Sequence, residues 1–425
     1  MNKPLLGCIA DDFTGATDLA TMLVQNGMRA VQIVFVPGPH DPVPDADVLI
    51  VALKSRTAPV AQAVAESLVA LQWLKDAGCQ QYFFKYCSTF DSTPEGNIGP
   101  VMDALTAALG CGFALACPAF PANGRSVYQG HLFVGAQLLN ESGMQDHPLT
   151  PMTDANLVRV LSRQSNGTVG LVAYPTVVQG AAAIRKAMIG LKEQGRQYAI
   201  VDAVTDDDLL AIGEAASGHA LITGGSGIAM GLPENFRRAG KLPVRDDASA
   251  LPVVEGHAAI LAGSCSRATL FQIAKARGHI PTLELDPLAS PDAAALAAQA
   301  VAWMDGKLGA TPVLIAASAP PDKVAALQAR LGRGPAGELV EAAMAAIAAA
   351  LVAQGVRRLV VAGGETSGAV VQRLGIRQLR IGAAIDPGVP WTYAEGTGPG
   401  LLLALKSGNF GAPDFFLKAF AMLDG

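Results

Sequence analysis

The chain has 425 residues, 51% of them hydrophobic and only 5% aromatic, with a net charge of −5. Such a length exceeds one ordinary core and points to two domains. The low aromatic content and the lack of any Lys/Arg block exclude a base-stacking platform or an electrostatic footprint for nucleic acid, so the expected partner is a small molecule.

The start, Met1-Asn2-Lys3-Pro4-Leu5-Leu6, is too short and too quickly acidic for a signal peptide. The longest apolar stretch, 342–353, falls below the ~20 residues that span a bilayer, so the cytoplasm is expected and a membrane partner is not. Six scattered cysteines without a Cys-x-x-Cys pair read as free thiols, mostly beside apolar runs. With no His-x-x-His or Cys/His cluster, no tightly held metal is expected.

In chain order, predicted strands lie at Leu5–Ala10, Val48–Leu53, Tyr82–Tyr86, Phe113–Ala116, Val169–Ala173, Tyr198–Val201 and Ala220–Ile222. Each ends in a Gly/Ser/Asp turn followed by a helix-like segment. From Arg237 to Gly256 the pattern gives way to a charged, Pro-punctuated stretch, read as a linker. Strands resume at Ala258–Ala262, Val313–Ala316, Leu359–Ala362 and Leu401–Leu405. A helix between Glu338 and Gln354 shows an apolar stripe of Leu339, Ala343, Ile347 and Leu351, with Gly355 placed to stop it. Short continuous apolar runs alternating with helices predict α/β architecture: two Rossmann-like domains with mostly parallel sheets and an interdomain cleft. The expected division is 1–240, a linker 241–256, and 257–425.

In open α/β sheets ligands sit beyond the carboxyl ends of the strands, so the turns there are the place to look for chemistry. After the first strand come Asp11-Asp12-Phe13-Thr14-Gly15-Ala16-Thr17-Asp18, opening a helix that continues to about Asn26. Asp12 or Thr14 could cap that helix. Two adjacent carboxylates point to opposite sides of the chain, however, so one is left to accept a hydroxyl proton or bind Mg²⁺. Arg56 and Arg125 follow strands and are the candidate carboxylate clamps, each against the plain alternative of a solvated surface arginine. Asp91, Ser92 and Asn97 offer hydroxyl-binding groups, or a simple turn. His131 reads as a structural histidine more readily than as a base. In the second half three turns suit an anion: Gly263-Ser264-Cys265-Ser266, Gly363-Gly364-Glu365-Thr366-Ser367-Gly368, and Lys406-Ser407-Gly408-Asn409. Gly396-Thr397-Gly398-Pro399-Gly400 is glycine-rich but precedes a strand, and reads as a flexible lip or a turn.

Ala-Asp-Asp-Phe-Thr-Gly-Ala-Thr-Asp after the first strand resembles the N-terminal signature of the four-carbon acid sugar kinase family. Ser88-Thr89-Phe90-Asp91-Ser92-Thr93-Pro94-Glu95-Gly96-Asn97-Ile98-Gly99 and Cys117-Pro118-Ala119-Phe120-Pro121-Ala122-Asn123-Gly124-Arg125 resemble the 3-oxo-tetronate kinase branch. The broader family carries Lys-x-Asp-Ser-Thr-Leu-Arg-Gly-Asn at the first of these segments, where this chain has Thr89 and Glu95 for the Lys and Arg. The resemblance spans essentially the whole chain. It implies an N-terminal domain that binds a sugar acid and a C-terminal domain that binds ATP, with Ser264, Ser266, Gly363, Gly364, Glu365, Thr366 and Gly408 at the nucleotide. It further implies transfer from ATP·Mg²⁺ to the 4-hydroxyl of a 3-oxo-tetronate. Asp12 or Asp11 would be the base, and Arg56 with the 91–97 loop would hold the acid. Glu365 would hold Mg²⁺ through water, or pair with Arg357 or Arg358.

Two rivals stand beside this reading. A sugar-acid dehydrogenase is disfavoured because no Gly-x-Gly-x-x-Gly fingerprint follows the first strand, and no Walker A loop occurs either. A non-catalytic sugar-acid binding module has no need for two anion-suited crevices. The Ala-rich helices leave a homodimer open.

Overall fold

Leu6–Ala10 (β1) is buried at every residue, because helices cover both faces of the parallel sheet it joins. The structure is a computed structural model that describes residues 3–38, 40–90, 93–146, 150–395 and 399–423. It divides into two units, Met1–Ser249 and Ala250–Gly425.

In the first unit β1 is followed by β2 (Ala30–Val34), β3 (Val48–Ala52), β4 (Gln81–Lys85) and β5 (Ala114–Cys117). A small hairpin sheet comes next, made of β6 (Arg125–Tyr128), β7 (His131–Val134) and β8 (Gln137–Leu138). Then come β9 (Val169–Val172), β10 (Tyr198–Val201) and β11 (Leu221–Gly224). The main sheet of this unit runs β2-β3-β1-β4-β11-β5-β10-β9, with every pairing parallel. From β1 the chain crosses through helix Phe13–Gln25 to β2 on one side. From β4 it crosses through helix Ile98–Leu109 to β5 on the other. The strand order therefore reverses between β1 and β4, the kind of crevice where such sheets bind ligands.

The sequence reading lacks β2 because Gln32 interrupts its apolar run. That side chain is fully buried, and Thr17 Oγ1 donates to its Oε1 at 2.9 Å. The hairpin sheet is also absent from the reading, since its strands are short and partly exposed.

The second unit contains β12 (His257–Ala262), β13 (Thr282–Glu284), β14 (Val313–Ala316), β15 (Val356–Ala362), β16 (Gln378–Asp386), β17 (Val389–Ala394) and β18 (Leu401–Lys406). Within it the order is β13-β14-β12-β15-β18-β17-β16, and β17 runs antiparallel to both of its neighbours. The chain leaves β12 through helix Arg267–Arg277 towards β13, and leaves β15 through helix Gly364–Arg373 towards β16. A second reversal point thus lies between β12 and β15. One face of this sheet (Ala258, Ile260, Ala262, Val360, Ala362, Trp391, Leu402 and Ala404) packs on Phe415, Phe416 and Phe420.

The helix read from Glu338 starts earlier and spans Arg333–Ala353, 21 residues. By length and composition it could cross a membrane, contrary to the expectation from the 342–353 stretch. Its residues Ala343, Met344, Ile347, Ala348 and Leu351 are buried, and it packs against helices Ala293–Met304 and Gly364–Arg373. Gly355 follows with φ +92°, a left-handed conformation that glycine adopts without strain. Among the described residues no disulfide joins any of the cysteines, and Cys265 is the exposed one.

Candidate functional site

Parallel register sets up the first site. Ala10 pairs with Ala52 on one side and with Lys85 on the other, while Lys85 also pairs with Gly224. The strands end level, so the residues just beyond β1 and β3, together with the last residue of β4, converge on one crevice. Asp11 N–H donates to the Lys85 carbonyl, and the Asp11 carbonyl accepts from the N–H groups of Ser55 and Arg56.

Asp11 is buried and accepts a bidentate pair from Arg56, Nε to Oδ2 at 2.9 Å and Nη2 to Oδ1 at 2.8 Å. Arg56 Nη2 also lies 2.8 Å from Asp12 Oδ1. Burial pushes the Asp11 carboxyl above the usual carboxylate range, against the pull of the Arg56 guanidinium. Asp12 is the cap of helix Phe13–Gln25, its Oδ1 accepting from Gly15 N–H at 2.9 Å. Its side chain is 31% exposed against 7% for Asp11. Among the described residues, all the bonds to the Asp12 carboxylate fall on Oδ1, and none is made by Oδ2. Asp18, the third carboxylate of the turn, accepts from Ser226 Oγ.

The other predicted acid-side residues are placed as follows. Asn97 is buried and its amide nitrogen donates to the carbonyls of Ser55 at 2.7 Å and Ala58 at 2.8 Å. It therefore pins the loop that carries Arg56. Arg125 opens β6; its Nη1 donates to the Asn123 carbonyl, while its buried Nε has no partner among the described residues. Asp91 and Ser92 lie outside the described residues, as do residues 396–398 of the glycine-rich stretch. Just before Asp91, Phe90 is fully buried with φ +55°, uncommon for an aromatic residue. The His131 ring is tied at both nitrogens, Nδ1 to the Gln129 carbonyl at 2.8 Å and Nε2 to Asn156 Nδ2 at 3.2 Å. That is a structural role.

In the second unit, register again aligns the strand ends: Ala262 pairs with Ala362, and Ala362 with Lys406. The three glycine turns consequently touch one another. A Cβ on Gly408 would stand 2.3 Å from Ser264 Oγ, one on Gly263 2.3 Å from Thr366 Oγ1, and one on Gly363 3.2 Å from the Ser264 nitrogen. Ser266 caps helix Arg267–Arg277 and donates to the Gly408 carbonyl at 2.6 Å. Gly364 and Glu365 open helix Gly364–Arg373, both exposed. Arg357 spends its Nη1 on the carbonyls of Val352 and Val356 rather than on Glu365.

Beside these turns opens a cavity of about 500 Å³, reaching from Gly263, Cys265, Glu365 and Thr366 to an apolar wall of Leu285, Val324, Leu327 and Val340. Asp286 stands at its edge, with Lys323 Nζ 3.7 Å away. Apolar walls with a few polar groups at one end are the usual form of a small-molecule pocket.

Of two further lysines, the first is missing from the sequence analysis and the second is named there only as part of an anion-suited turn, with no role of its own. Lys85, 3% exposed, ends β4 directly beneath the acidic turn: a Cβ on Gly15 would stand 2.9 Å from its Nζ. Lys406, fully buried, ends β18 beside the glycine turns. The available signal was a lysine closing an apolar strand at a reversal point, where a flanking surface lysine would look the same.

A family model described as a sugar-binding N-terminal domain matches residues 6–232, and one described as a nucleotide-binding C-terminal domain matches residues 259–416. The chain is 60% identical over 424 residues to a Burkholderia multivorans protein named 3-oxo-tetronate kinase, covering 100% of this chain and 98% of that one. A Cupriavidus necator protein of the same name is 59% identical over 428 residues, with the same coverage. Among solved structures, a Salmonella typhimurium LT2 protein described as a candidate tRNA synthase matches with a TM-score of 0.90 at 45% identity, over 97% of this chain and 98% of that one. The chain belongs to the four-carbon acid sugar kinase family, and its curated relatives at 46–60% identity carry the name 3-oxo-tetronate kinase.

Proposed function

We propose that the protein is an ATP-dependent kinase that phosphorylates the 4-hydroxyl of a four-carbon sugar acid, 3-oxo-tetronate (3-dehydro-erythronate), to its 4-phosphate. The observation that carries the residue-level reading is Asp12: a capping carboxylate whose bonds among the described residues all fall on Oδ1, at the reversal point of the sugar-binding unit.

In this reading Asp12 Oδ2 orients the attacking hydroxyl and takes its proton. Asp11 holds Arg56, and Arg56 in turn holds Asp12 by Nη2. The remaining guanidinium edge, Nη1, faces the acid together with Arg125, supported by the 91–97 loop. Asn97 positions Arg56 through the 55–58 loop instead of touching the acid. ATP belongs to the second unit, with its base against the apolar wall of the cavity and its phosphates at the turns bearing Ser264, Ser266, Gly363, Gly364, Thr366 and Gly408. Bound with the nucleotide, Mg²⁺ would supply charge neutralisation. Among the described residues no group of three or more His, Cys, Asp or Glu side chains is set to hold a metal alone, which fits a cation carried by the nucleotide with Glu365 beside it.

Phosphoryl transfer depends on positioning and charge neutralisation more than on covalent chemistry. The reading therefore includes two Rossmann-like units acting across an interdomain cleft, closing during turnover to exclude water. A cytoplasmic location and a homodimer are compatible with it. The product tests the reading: ³¹P NMR should show a phosphate monoester coupled to the C4 protons, whereas an acyl phosphate or a phosphate at C2 would overturn the assigned acceptor.

A further inference from the structure

We infer that Lys406 is a positioning residue for the nucleotide phosphates, a buried ammonium that shapes the Ser407–Gly408 turn and whose charge the bound phosphates neutralise. The inference rests on the reading of the second unit as the nucleotide site.

Lys406 is the last residue of β18, next to the reversal point between β12 and β15, and none of its surface reaches solvent. Its three N–H donors go to neutral acceptors: Thr269 Oγ1 at 3.0 Å, the Ser407 carbonyl at 3.1 Å and the Gly408 carbonyl at 3.0 Å. The Gly408 carbonyl also accepts from Ser266 Oγ at 2.6 Å and Thr269 Oγ1 at 2.9 Å. The two carbonyls of the turn are thus drawn inward onto the lysine, locking the turn that lies against Ser264 and Ser266.

The charge itself is uncompensated. No carboxylate forms an ion pair with Lys406 among the described residues. Nearby on the surrounding elements, Glu365, Arg267 and Cys265 are exposed, and Asp386 is held by Lys418 and by the Ala412 N–H. His257, Arg357, Arg358 and Tyr393 lie towards the other ends of β12, β15 and β17. Burying an ammonium without a counter-charge is costly, and such groups concentrate at functional sites. Burial accordingly pushes the Lys406 ammonium down to about 8. An anion docking on the turns supplies the missing charge, so nucleotide binding should draw a proton onto Lys406 wherever it is partly deprotonated.

The test is calorimetric titration of the full-length protein with ADP at pH 8, in two buffers of different ionisation enthalpy. ADP has lost its last phosphate proton well below this pH, so it contributes little of its own. The expected result is uptake of roughly half a proton per ADP bound, with affinity falling about fivefold between pH 8 and pH 9. A Lys406→Met variant should bind ADP on the order of tenfold to hundredfold more weakly, and without proton uptake. Tight ADP binding with no proton uptake in the wild-type protein would overturn the inference, as would a folded Lys406→Met variant of wild-type affinity. Failure of the wild-type protein to bind ADP at any pH would instead overturn the nucleotide reading itself, and the inference with it.

Discussion

Arg56 grips Asp11 with two parallel hydrogen bonds, Nε to Oδ2 at 2.9 Å and Nη2 to Oδ1 at 2.8 Å, across 45 residues of sequence. The pair turns what could have been a free carboxylate clamp into a scaffold for Asp12. One arginine edge is thereby committed within the protein.

Removing Arg56 leaves Asp11 buried and unpaired. Arg56→Met should destabilise the first unit by about 3 kcal/mol in denaturant titration, as expected for half of a buried pair. The double variant Arg56→Met/Asp11→Asn should lose clearly less than the sum of the singles. Additive losses would mean that the two side chains do not act as a unit.

Asp12 carries two jobs that one substitution separates. Asp12→Asn keeps an acceptor for Gly15 N–H, so its melting temperature should stay close to wild type while kcat falls about 10²- to 10⁴-fold. Asp12→Ala should lose the same activity and in addition about 1 kcal/mol of stability from the missing cap. An Asn variant with full turnover would remove Asp12 from the base role.

The acidic turn and the three glycine turns were legible in sequence because each is local: an apolar strand, a turn, then a helix start. What they touch was not. Arg56 meets Asp11 only because β1 and β3 end in register, and Asn97 reaches the Ser55 and Ala58 carbonyls from a different loop. Lys85 was passed over, and Lys406 was named only as part of its turn, because a lysine closing an apolar strand resembles an ordinary surface flank; burial is what distinguishes them. Gln32 hid β2 by the opposite route, as a polar residue inside the core.

The glycine turns make contrasting predictions. A Cβ on Gly364 meets nothing within 4 Å, so Gly364→Val should fold normally and raise the KM for ATP on the order of tenfold, with little change in the KM for the acid. Gly408→Ala places a methyl 2.3 Å from Ser264 Oγ and should lower both ATP affinity and stability. Steady-state kinetics with each substrate varied in turn separates the two effects.

Alkaline pH should weaken the fold through its buried thiols. Burial pushes Cys79 and Cys117 up to about 12, so the native protein keeps protons that the unfolded chain releases from about pH 8.5. Their contribution is complete below that pH and is lost as pH rises towards 12. Cys117→Ala should flatten the stability-versus-pH slope between pH 9 and 11 by up to about 1.4 kcal/mol per pH unit. An unchanged slope would contradict the assignment.

The most direct test of the central claim is ADP release from ATP·Mg²⁺ across a panel of four-carbon acids and keto-acids. The account predicts ADP formation that depends on 3-oxo-tetronate, one ADP per acid consumed, and lost in Asp12→Asn. No acid-dependent ADP with any member of the panel would contradict it.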